Sequence, residues 1–518
     1  MNQSKETSRF FLILAVVFGL AVRLYPVLKV DFPLVDGGMF YAMIRDLQAA
    51  HFSLPVFTTY NQAQIPFAYP PLGFYLAGFL NGVVGIPILK IIQWLPVGVN
   101  ILTIPFFYIF LKQILNSESR AALATLIYVL TPNSYWWSVV GGGLTRSLGT
   151  FFFILALVSA EKMYREKKNI WVLATSVTGA LTVLSHLTWT LQAVVAIILL
   201  WYFFGRDRRA TINSLVVAFG VLALTSPWWL TVIQYHGVGV FAQAFQVNHS
   251  RWLAWTILFA LSFSGENAPV IAVFAMIGLF IHIAKRNYFF ALWALLCLLS
   301  DPRGGTFASI FPFSALALSA IADGVAPNFI KSNSENPEAW THSLNSKIGK
   351  LFFGFFIILF LYNAYNISAN LSRETVSLEQ RAALQWVQKN TQPADVFLVL
   401  DEQGNPLLSP LTEWFPALTE RRSLTTIQGS EWLTGNQHYN AQLPVITNLR
   451  ACLYQDATCV RKTNAAYVVI ASHSRVPALV SLESRSDFEL AYSSPTVKIF
   501  KVKFTTVQNL YRTQTSAD

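Results

Sequence analysis

Residues 31–75 read DFPLVDGGMFYAMIRDLQAAHFSLPVFTTYNQAQIPFAYPPLGFY and follow the first apolar run of the chain, residues 10–30. That run is long enough to cross a bilayer, so Asp31 and Asp36 come in the first few residues beyond a predicted span. A charged side chain is costly at membrane depth, and Asp36 lies beside two glycines at the mouth of the span. Asp36 is therefore a candidate functional group, although a solvated loop acid would give the same pattern.

The composition places the whole chain in the membrane class. Of the 518 residues, 54% are hydrophobic and only 12% are charged, which is too apolar for a soluble protein. The net charge of +11 comes with basic residues in short loops between apolar runs, where they orient helices. We therefore predict a polytopic membrane protein and no nucleic-acid partner.

The N-terminus resembles a signal peptide, because Lys5 and Arg9 precede the first apolar run. The run is about 20 residues long and has no small-residue cleavage site, which favours a retained transmembrane helix. Its basic flank predicts a cytoplasmic N-terminus in the plasma membrane, with Asp36 on the outer side.

The topology depends on the short apolar run at residues 72–84. If it crossed the membrane, the basic loops at residues 161–168 and 205–209 would lie outside, against the positive-inside rule. We therefore interpret it as an interfacial helix, and predict about eleven transmembrane helices. The ten predicted spans after the first are residues 91–111, 121–138, 148–161, 170–186, 188–204, 212–232, 268–284, 287–301, 306–323 and 351–369.

The tail has a different pattern and predicts a C-terminal extracytoplasmic α/β domain at residues 371–518, after a transmembrane domain at residues 1–370. Ser377 and Gln380 form a capping box ahead of a helical pattern at residues 382–390. Strand-like runs follow at residues 396–400 and 466–471, and a hairpin at residues 490–503. Cys452 and Cys459 could form a disulfide or stay free thiols, and Cys297 lies alone in an apolar run.

Polar side chains recur at the predicted outer ends of separate spans. Each also has a structural interpretation when taken alone. A lone arginine can extend its charged end to the lipid headgroups, a lone histidine can form a hydrogen bond with a neighbouring backbone group, and glycines can serve turns or helix packing. On one membrane face together with the acidic loop, they suggest one polar cavity. The seven residues are Asp36, Tyr69, Arg146, His186, His236, Glu266 and Arg303.

The first helix, the outer loop with its early aspartate and the YPPLG segment at residues 69–73 together resemble the GT-C superfamily of membrane glycosyltransferases. This superfamily includes protein O-mannosyltransferases, oligosaccharyltransferase catalytic subunits and lipid A aminoarabinose transferases. The resemblance covers roughly residues 8–370, and the DPRGG turn at residues 301–305 is a weaker part of it. It implies a polyprenyl-phosphate-linked sugar as donor, an extracytoplasmic reaction and a role for Asp36 in catalysis or acceptor activation.

The sequence departs from the acidic pattern of this superfamily at two places. Gly37 follows Asp36 where many relatives have a second carboxylate, and the GGGLTRS segment at residues 141–147 has no acid where oligosaccharyltransferases place a further pair. A divalent metal needs several carboxylate oxygens, so these departures argue against a metal cofactor and leave metal dependence open.

The chemistry of transfer assigns roles to the candidate residues. A glycosyl phosphate has a competent leaving group, so the enzyme must deprotonate an acceptor hydroxyl and neutralise the departing phosphate. Asp36 is the candidate base, and Arg303 and Arg146 are candidates for the phosphate, with His186 beside them. His236, Tyr69 and Glu266 are the candidate substrate-binding residues, and Tyr69 could stack on the sugar. A single displacement would invert the anomeric centre.

Other classes of protein fit part of the pattern. A transporter or flippase of lipid-linked saccharide would also have many spans and membrane-embedded polar groups, but no clear internal repeat is visible. A non-catalytic assembly or receptor protein would use the tail as its binding module. Membrane lipid is a partner in every case, and the acceptor is left open among protein, lipid and glycan.

Overall fold

The computed structural model describes residues 2–246, 251–329 and 338–503. The chain divides into two compact units. The helical unit comprises Met1–Asp31, Tyr69–Gln234 and Asn248–Arg373. The sheet unit comprises Phe32–Ala68, Tyr235–Val247 and Glu374–Asp518. The first outer loop therefore groups with the C-terminal tail, together with a short segment that follows residue 234.

The helical unit consists of helices joined by short turns. Its principal helices are Asn2–Leu28, Leu72–Val84, Ile88–Leu115, Glu118–Leu130, Gly143–Glu166, Asn169–Val183, Leu187–Phe204, Arg208–His236, Arg251–Phe259, Val270–Ala284, Phe289–Ser300, Gly305–Ala308, Ile310–Ser319 and Lys347–Leu371. Short 3-10 or π-helical turns lie at Pro132–Ser134, Ser262–Ser264, Ala320–Val325, Ala326–Phe329 and Ala339–Asn345.

Within the described part of the chain, seven helical segments are long and apolar enough to cross a membrane. They are Ser4–Leu28, Ile88–Leu115, Gly143–Glu166, Leu187–Phe204, Arg208–His236, Gly305–Phe329 and Lys347–Leu371. Four shorter apolar helices accompany them at Leu72–Val84, Asn169–Val183, Val270–Ala284 and Phe289–Ser300. The chain is therefore an integral membrane protein. The total of about eleven crossings and their sidedness stay predictions.

One predicted span is wrong in its extent. Residues 121–138 are not a continuous helix, because the Glu118–Leu130 helix ends before Pro132 and a 3-10 turn follows at Pro132–Ser134. The residue before a proline is disfavoured in the helical conformation, and Thr131 is accordingly extended, with ψ at 119°. The chain after Leu130 instead forms turns, in which the side-chain amide of Asn133 donates to the backbone carbonyl of Phe263 at 2.7 Å.

A fully buried arginine links three helices of this unit. Arg23 lies in the first helix, and its Nε donates to Asn100 Oδ1 at 2.6 Å. Its Nη1 donates to the Val129 carbonyl at 3.0 Å and its Nη2 to Ser134 Oγ at 3.0 Å. A charge at this depth is tolerated because its donors are bonded and its guanidinium lies 5.1 Å from the centroid of the Tyr135 ring.

The sheet unit contains a small α/β domain, as the tail sequence predicted. Its two-stranded ribbon is β1 (Phe57–Thr58) and β2 (Ile65–Pro66), and its main sheet has five strands in the order β4-β3-β5-β7-β6. These are β3 (Val396–Asp401), β4 (Arg422–Ser423), β5 (Tyr467–Ala471), β6 (Phe488–Ser493) and β7 (Val497–Val502). The helices are Gly38–Ala49, Gly239–Phe245, Leu378–Asn390, Pro410–Thr419, Tyr439–Arg450, Ala457–Arg461 and Pro477–Glu483.

The local predictions for the tail are confirmed. The Leu378–Asn390 helix begins with the capping box of Ser377 and Gln380. The central strand β5 is parallel to β3, and β6 and β7 form the predicted antiparallel hairpin. All five residues of β5 are buried, as expected of a strand covered on both faces.

Cys452 and Cys459 form a disulfide with a Cα–Cα distance of 5.5 Å, while Cys297 is a buried free thiol. The bond closes a short loop, so it should stabilise the sheet unit by about 2–3 kcal/mol through the entropy of the unfolded chain. We expect Cys459→Ser to lower Tm in non-reducing buffer and a reductant to lower the wild-type Tm to the same value. An unchanged wild-type Tm under reductant would contradict the bond.

The first outer loop and residues 235–246 are built into the sheet unit by backbone contacts. The Val35 amide donates to the Glu374 carbonyl at 2.7 Å, and the Ser423 amide of β4 donates to Asn61 Oδ1 at 2.7 Å. The Gly239–Phe245 helix adds a contact between His438 Nε2 and the Gln243 carbonyl at 3.3 Å. The acidic loop is thus held by the tail.

Candidate active site

Three glycines bring polar segments of the helical unit together. A Cβ on Gly73 of YPPLG would lie 3.3 Å from Leu144 of GGGLTRS. A Cβ on Gly149 would lie 2.6 Å from Trp189 Cδ1 and 2.9 Å from His186 Cβ, both in the LSHLTWT motif at residues 184–190. A Cβ on Gly304 of DPRGG would collide with Thr188 of the same motif. The missing side chains therefore allow close packing at these crossings.

Arg146 lies in the first turns of the Gly143–Glu166 helix, and a turn of backbone just before the helix positions its head group. Its Nη1 donates to the Trp137 carbonyl at 2.6 Å, and its guanidinium carbon lies 4.2 Å from the Trp137 ring centroid. This double contact fixes the orientation of a partly buried positive charge.

His186 lies in the connection between Asn169–Val183 and Leu187–Phe204, outside both helices. Its ring centroid is 6.1 Å from that of Tyr69 in an edge-on arrangement. Burial, and after it the positive charges of Arg146 and Arg303, lower the pKa of His186 to about 3. The imidazole is therefore neutral at pH 7, and its Nδ1 is buried without a hydrogen-bond partner among the described residues.

The DPRGG turn presents Arg303 on the surface of the helical unit. The Gly304 amide donates to Asp301 Oδ1 at 2.9 Å, and the Gly305 amide donates to the Asp301 carbonyl at 2.6 Å. Asp301 is buried by this turn, whereas Arg303 is exposed. The structure therefore brings together four predicted site residues in one group, which we call the Arg–His cluster: Tyr69, Arg146, His186 and Arg303.

Glu266 occupies a structural position in the helical unit. Its Oε2 accepts from the Ile271 amide at 3.0 Å and the Ala272 amide at 3.3 Å, at the start of Val270–Ala284. The Asn363 amide donates to Oε1 at 3.4 Å. Burial raises the pKa of Glu266 to about 7 against these hydrogen bonds. These contacts give the carboxyl a helix-capping role, and its predicted substrate role stays a prediction.

The other two predicted site residues, Asp36 and His236, belong to the sheet unit. His236 Nε2 is 2.8 Å from the Val56 carbonyl, and its ring centroid is 5.2 Å from that of Phe57. The imidazole thus holds the first outer loop near β1. Asp36 is 8% exposed and lies between Val35, with φ at 54°, and Gly37, with φ at 113°. These conformations turn the chain sharply around the carboxylate.

A carboxyl group that the sequence analysis missed lies against the Asp36 loop. Glu413, on the Pro410–Thr419 helix, accepts at Oε1 from the Gly37 amide at 3.3 Å and the Met39 amide at 3.2 Å. The Tyr60 hydroxyl donates to the Glu413 carbonyl at 2.6 Å. Burial first, and then the negative charges of Asp36 and Glu431, raise the pKa of Glu413 to about 8. No sequence motif marks this residue.

The described residues contain no group of three or more histidine, cysteine, aspartate or glutamate side chains that could hold a metal ion. The helical unit supplies two guanidinium groups and a neutral imidazole in the Arg–His cluster. Guanidinium groups are suited to a phosphate.

No protein-family model and no curated protein sequence matches the chain. Solved structures do match. ArnT from Cupriavidus metallidurans bound to undecaprenyl phosphate is 12% identical with a TM-score of 0.56, over 96% of this chain and 98% of that one. The archaeal oligosaccharyltransferase AglB from Archaeoglobus fulgidus, in complex with an inhibitory peptide and a dolichol-phosphate, is 12% identical with a TM-score of 0.52, over 89% and 69%.

The arabinofuranosyltransferase AftD from Mycobacteria is 13% identical with a TM-score of 0.51, over 96% of this chain and 40% of that one. At these identities the likeness concerns the fold. It extends along nearly the whole chain, including the tail. The chain therefore has the fold of the GT-C glycosyltransferases, as the resemblance of its first outer loop predicted.

Proposed function

We propose that this protein is a membrane glycosyltransferase that moves a sugar from a polyprenyl-phosphate donor to an acceptor hydroxyl on the extracytoplasmic side. The observation that carries the proposal is the Arg–His cluster within a GT-C fold. Two guanidinium groups beside a neutral imidazole form a site for an anion, and ArnT and AglB were solved with polyprenyl phosphates bound. A phosphate ligand fits both observations.

The reaction is a single displacement. Asp36 takes the proton of the acceptor hydroxyl, and the hydroxyl oxygen forms a bond to the anomeric carbon. The bond from that carbon to the phosphate oxygen breaks, and its electron pair leaves on the lipid phosphate. Arg303 and Arg146 neutralise this charge, and His186 offers a neutral hydrogen-bonding edge. One displacement inverts the anomeric centre.

The proposed topology supports this assignment of sides. With about eleven crossings and a cytoplasmic N-terminus, the basic loops around Lys112, Arg165 and Arg209 lie in the cytoplasm. The Asp36 loop, the Arg–His cluster and the tail then lie on the opposite side. Tyr69 and His236 are proposed to contact the sugar or acceptor.

Transfer can be tested with the full-length protein in nanodiscs, using purified polyprenyl-phosphate sugars with different head groups and a membrane extract as acceptor. We expect product with inverted anomeric configuration, detected by NMR of the released glycan. Reconstitution into liposomes tests the alternative function, because a flippase would move a labelled donor across the bilayer without consuming it. Donor flux without transfer would overturn the proposed function.

A further inference from the structure

One buried carboxyl of the tail, that of Glu413, contacts the Asp36 loop directly. Glu413 is 2% exposed, and its Oε1 accepts from two loop amides, those of Gly37 and Met39. Between them, Gly38 has no room for a side chain, because a Cβ there would collide with the Glu413 carbonyl. The loop backbone on the C-terminal side of Asp36 is therefore fitted to this one residue of the tail.

The surroundings of the second oxygen disfavour a negative charge on this carboxyl. Oε2 is buried and has no hydrogen-bond partner in the part of the chain that the structure describes. An ionised carboxylate in this position would leave a desolvated negative charge beside Asp36 and Glu431. The pKa of Glu413, raised to about 8, agrees with a largely neutral group at pH 7. Since Oε1 accepts two hydrogen bonds, the proton belongs on Oε2.

We propose that Glu413 is a positioning residue for Asp36, a neutral carboxyl that the tail supplies where the loop has Gly37 in place of a second acid. The inference rests on the proposed function, because it gives the tail a part in the same reaction. Glu413 orients the turn that carries the proposed base without adding a negative charge next to Asp36.

Other titratable groups lie on the elements packed against Glu413. Tyr60, Asp36 and Glu431 act on it directly. Arg45 and Glu420 form an exposed ion pair at 2.9 Å, and their charges offset each other. The remaining titratable groups on these elements are Tyr41 and Asp46 on Gly38–Ala49, Glu379, Arg381 and Lys389 on Leu378–Asn390, Asp401 on β3 and Arg422 on β4.

The positioning role predicts a pH dependence with a definite sign. Below pH 8 the Glu413 carboxyl is mostly neutral, and it ionises as the pH rises through its pKa. The new charge lies in a buried site with Asp36 and Glu431, so repulsion should loosen the turn that carries Asp36. The rate of transfer should therefore fall above pH 8.

Glu413→Gln tests this, because the amide oxygen can accept from the same two backbone amides and cannot ionise. We expect kcat within about threefold of wild type at pH 7 and no fall above pH 8. Glu413→Ala should lower kcat about 100-fold with an unchanged KM for the donor, because a misplaced base loses rate rather than donor binding. Glu420→Gln, an exposed carboxylate on the same segment, should keep the wild-type profile.

Hydrogen exchange of the loop amides gives a readout that does not need activity. Peptides covering residues 37–44 should exchange faster in Glu413→Ala and at the wild-type rate in Glu413→Gln. Unchanged exchange and kcat in Glu413→Ala, or an alkaline fall retained in Glu413→Gln, would overturn the inference. Wild-type protein that transfers no sugar would instead refute the proposed function, and the exchange results would still decide whether Glu413 positions the loop.

Discussion

Replacing Asp36 with asparagine is expected to lower the rate of sugar transfer by about 10²–10⁴-fold, with little change in folding. Asparagine has the shape of aspartate but cannot accept the proton of an acceptor hydroxyl. The expected loss is therefore in kcat. Steady-state kinetics of the purified variant with a polyprenyl-phosphate sugar would measure it, and the melting temperature would verify that the fold is intact.

The surroundings of Asp36 make this substitution a clean test. The loop is held through backbone groups of its neighbours, by the Val35 amide on one side and the Gly37 and Met39 amides on the other. None of these bonds uses the Asp36 carboxylate. Asp36→Asn should therefore keep these three backbone bonds while it changes the charge and basicity of the side chain.

Asp31 provides the matched control, because it is a carboxylate close to Asp36 in the chain and is exposed. Asp31→Asn removes the same charge five positions earlier and should keep transfer within about twofold of wild type. Equal losses in the two variants would assign the effect to the charge of the loop as a whole. Wild-type kcat in Asp36→Asn would remove this residue from the mechanism.

Local sequence signals predicted much of this fold because each depends on neighbouring residues. The apolar runs gave the membrane class, and the capping box at Ser377 gave the start of a helix. The alternation around residues 490–503 gave the β6–β7 hairpin. The prediction of a continuous span at residues 121–138 was wrong because Pro132 interrupts the apolar run. The length of an apolar run does not reveal such a break.

Only those candidate site residues that lie next to the ends of apolar spans could be predicted from the sequence. Arg146, His186 and Arg303 could be selected because they are polar groups beside apolar spans. Glu413 could not, since an acid in the first turn of PLTEWFPALT is also what a solvated helix N-terminus shows. Its partners Gly37 and Met39 lie more than 370 positions away, and only tertiary structure brings them together.

The same holds for Arg23. It lies inside the first apolar span, and the structure buries it completely among Asn100, Val129 and Ser134. A charge that is satisfied by three other segments has no signature in its own segment. Polar residues inside spans therefore separate into structural and functional groups only when their partners are known.

Arg303→Ala is expected to raise the KM for the donor about 10- to 100-fold, because it removes charge-assisted hydrogen bonds to a phosphate. Arg303 is the better test of the two arginines. Arg146 also donates to the Trp137 carbonyl and stacks on its ring, so its loss would disturb the turn itself. Arg303 is exposed, and the DPRGG turn is held by Asp301 and the glycine amides.

The donor and acceptor must be varied separately for this variant, since a role in binding phosphate leaves the KM for the acceptor unchanged. Arg303→Lys should recover part of the donor affinity, because lysine keeps the charge but loses the planar fork that binds two phosphate oxygens. Arg209→Ala, which removes an exposed arginine from the basic segment at residues 205–209, should leave both KM values unchanged. Equal rises in the donor and acceptor KM of Arg303→Ala, or no rise in either, would refute the phosphate role and with it the interpretation of the Arg–His cluster as a donor site.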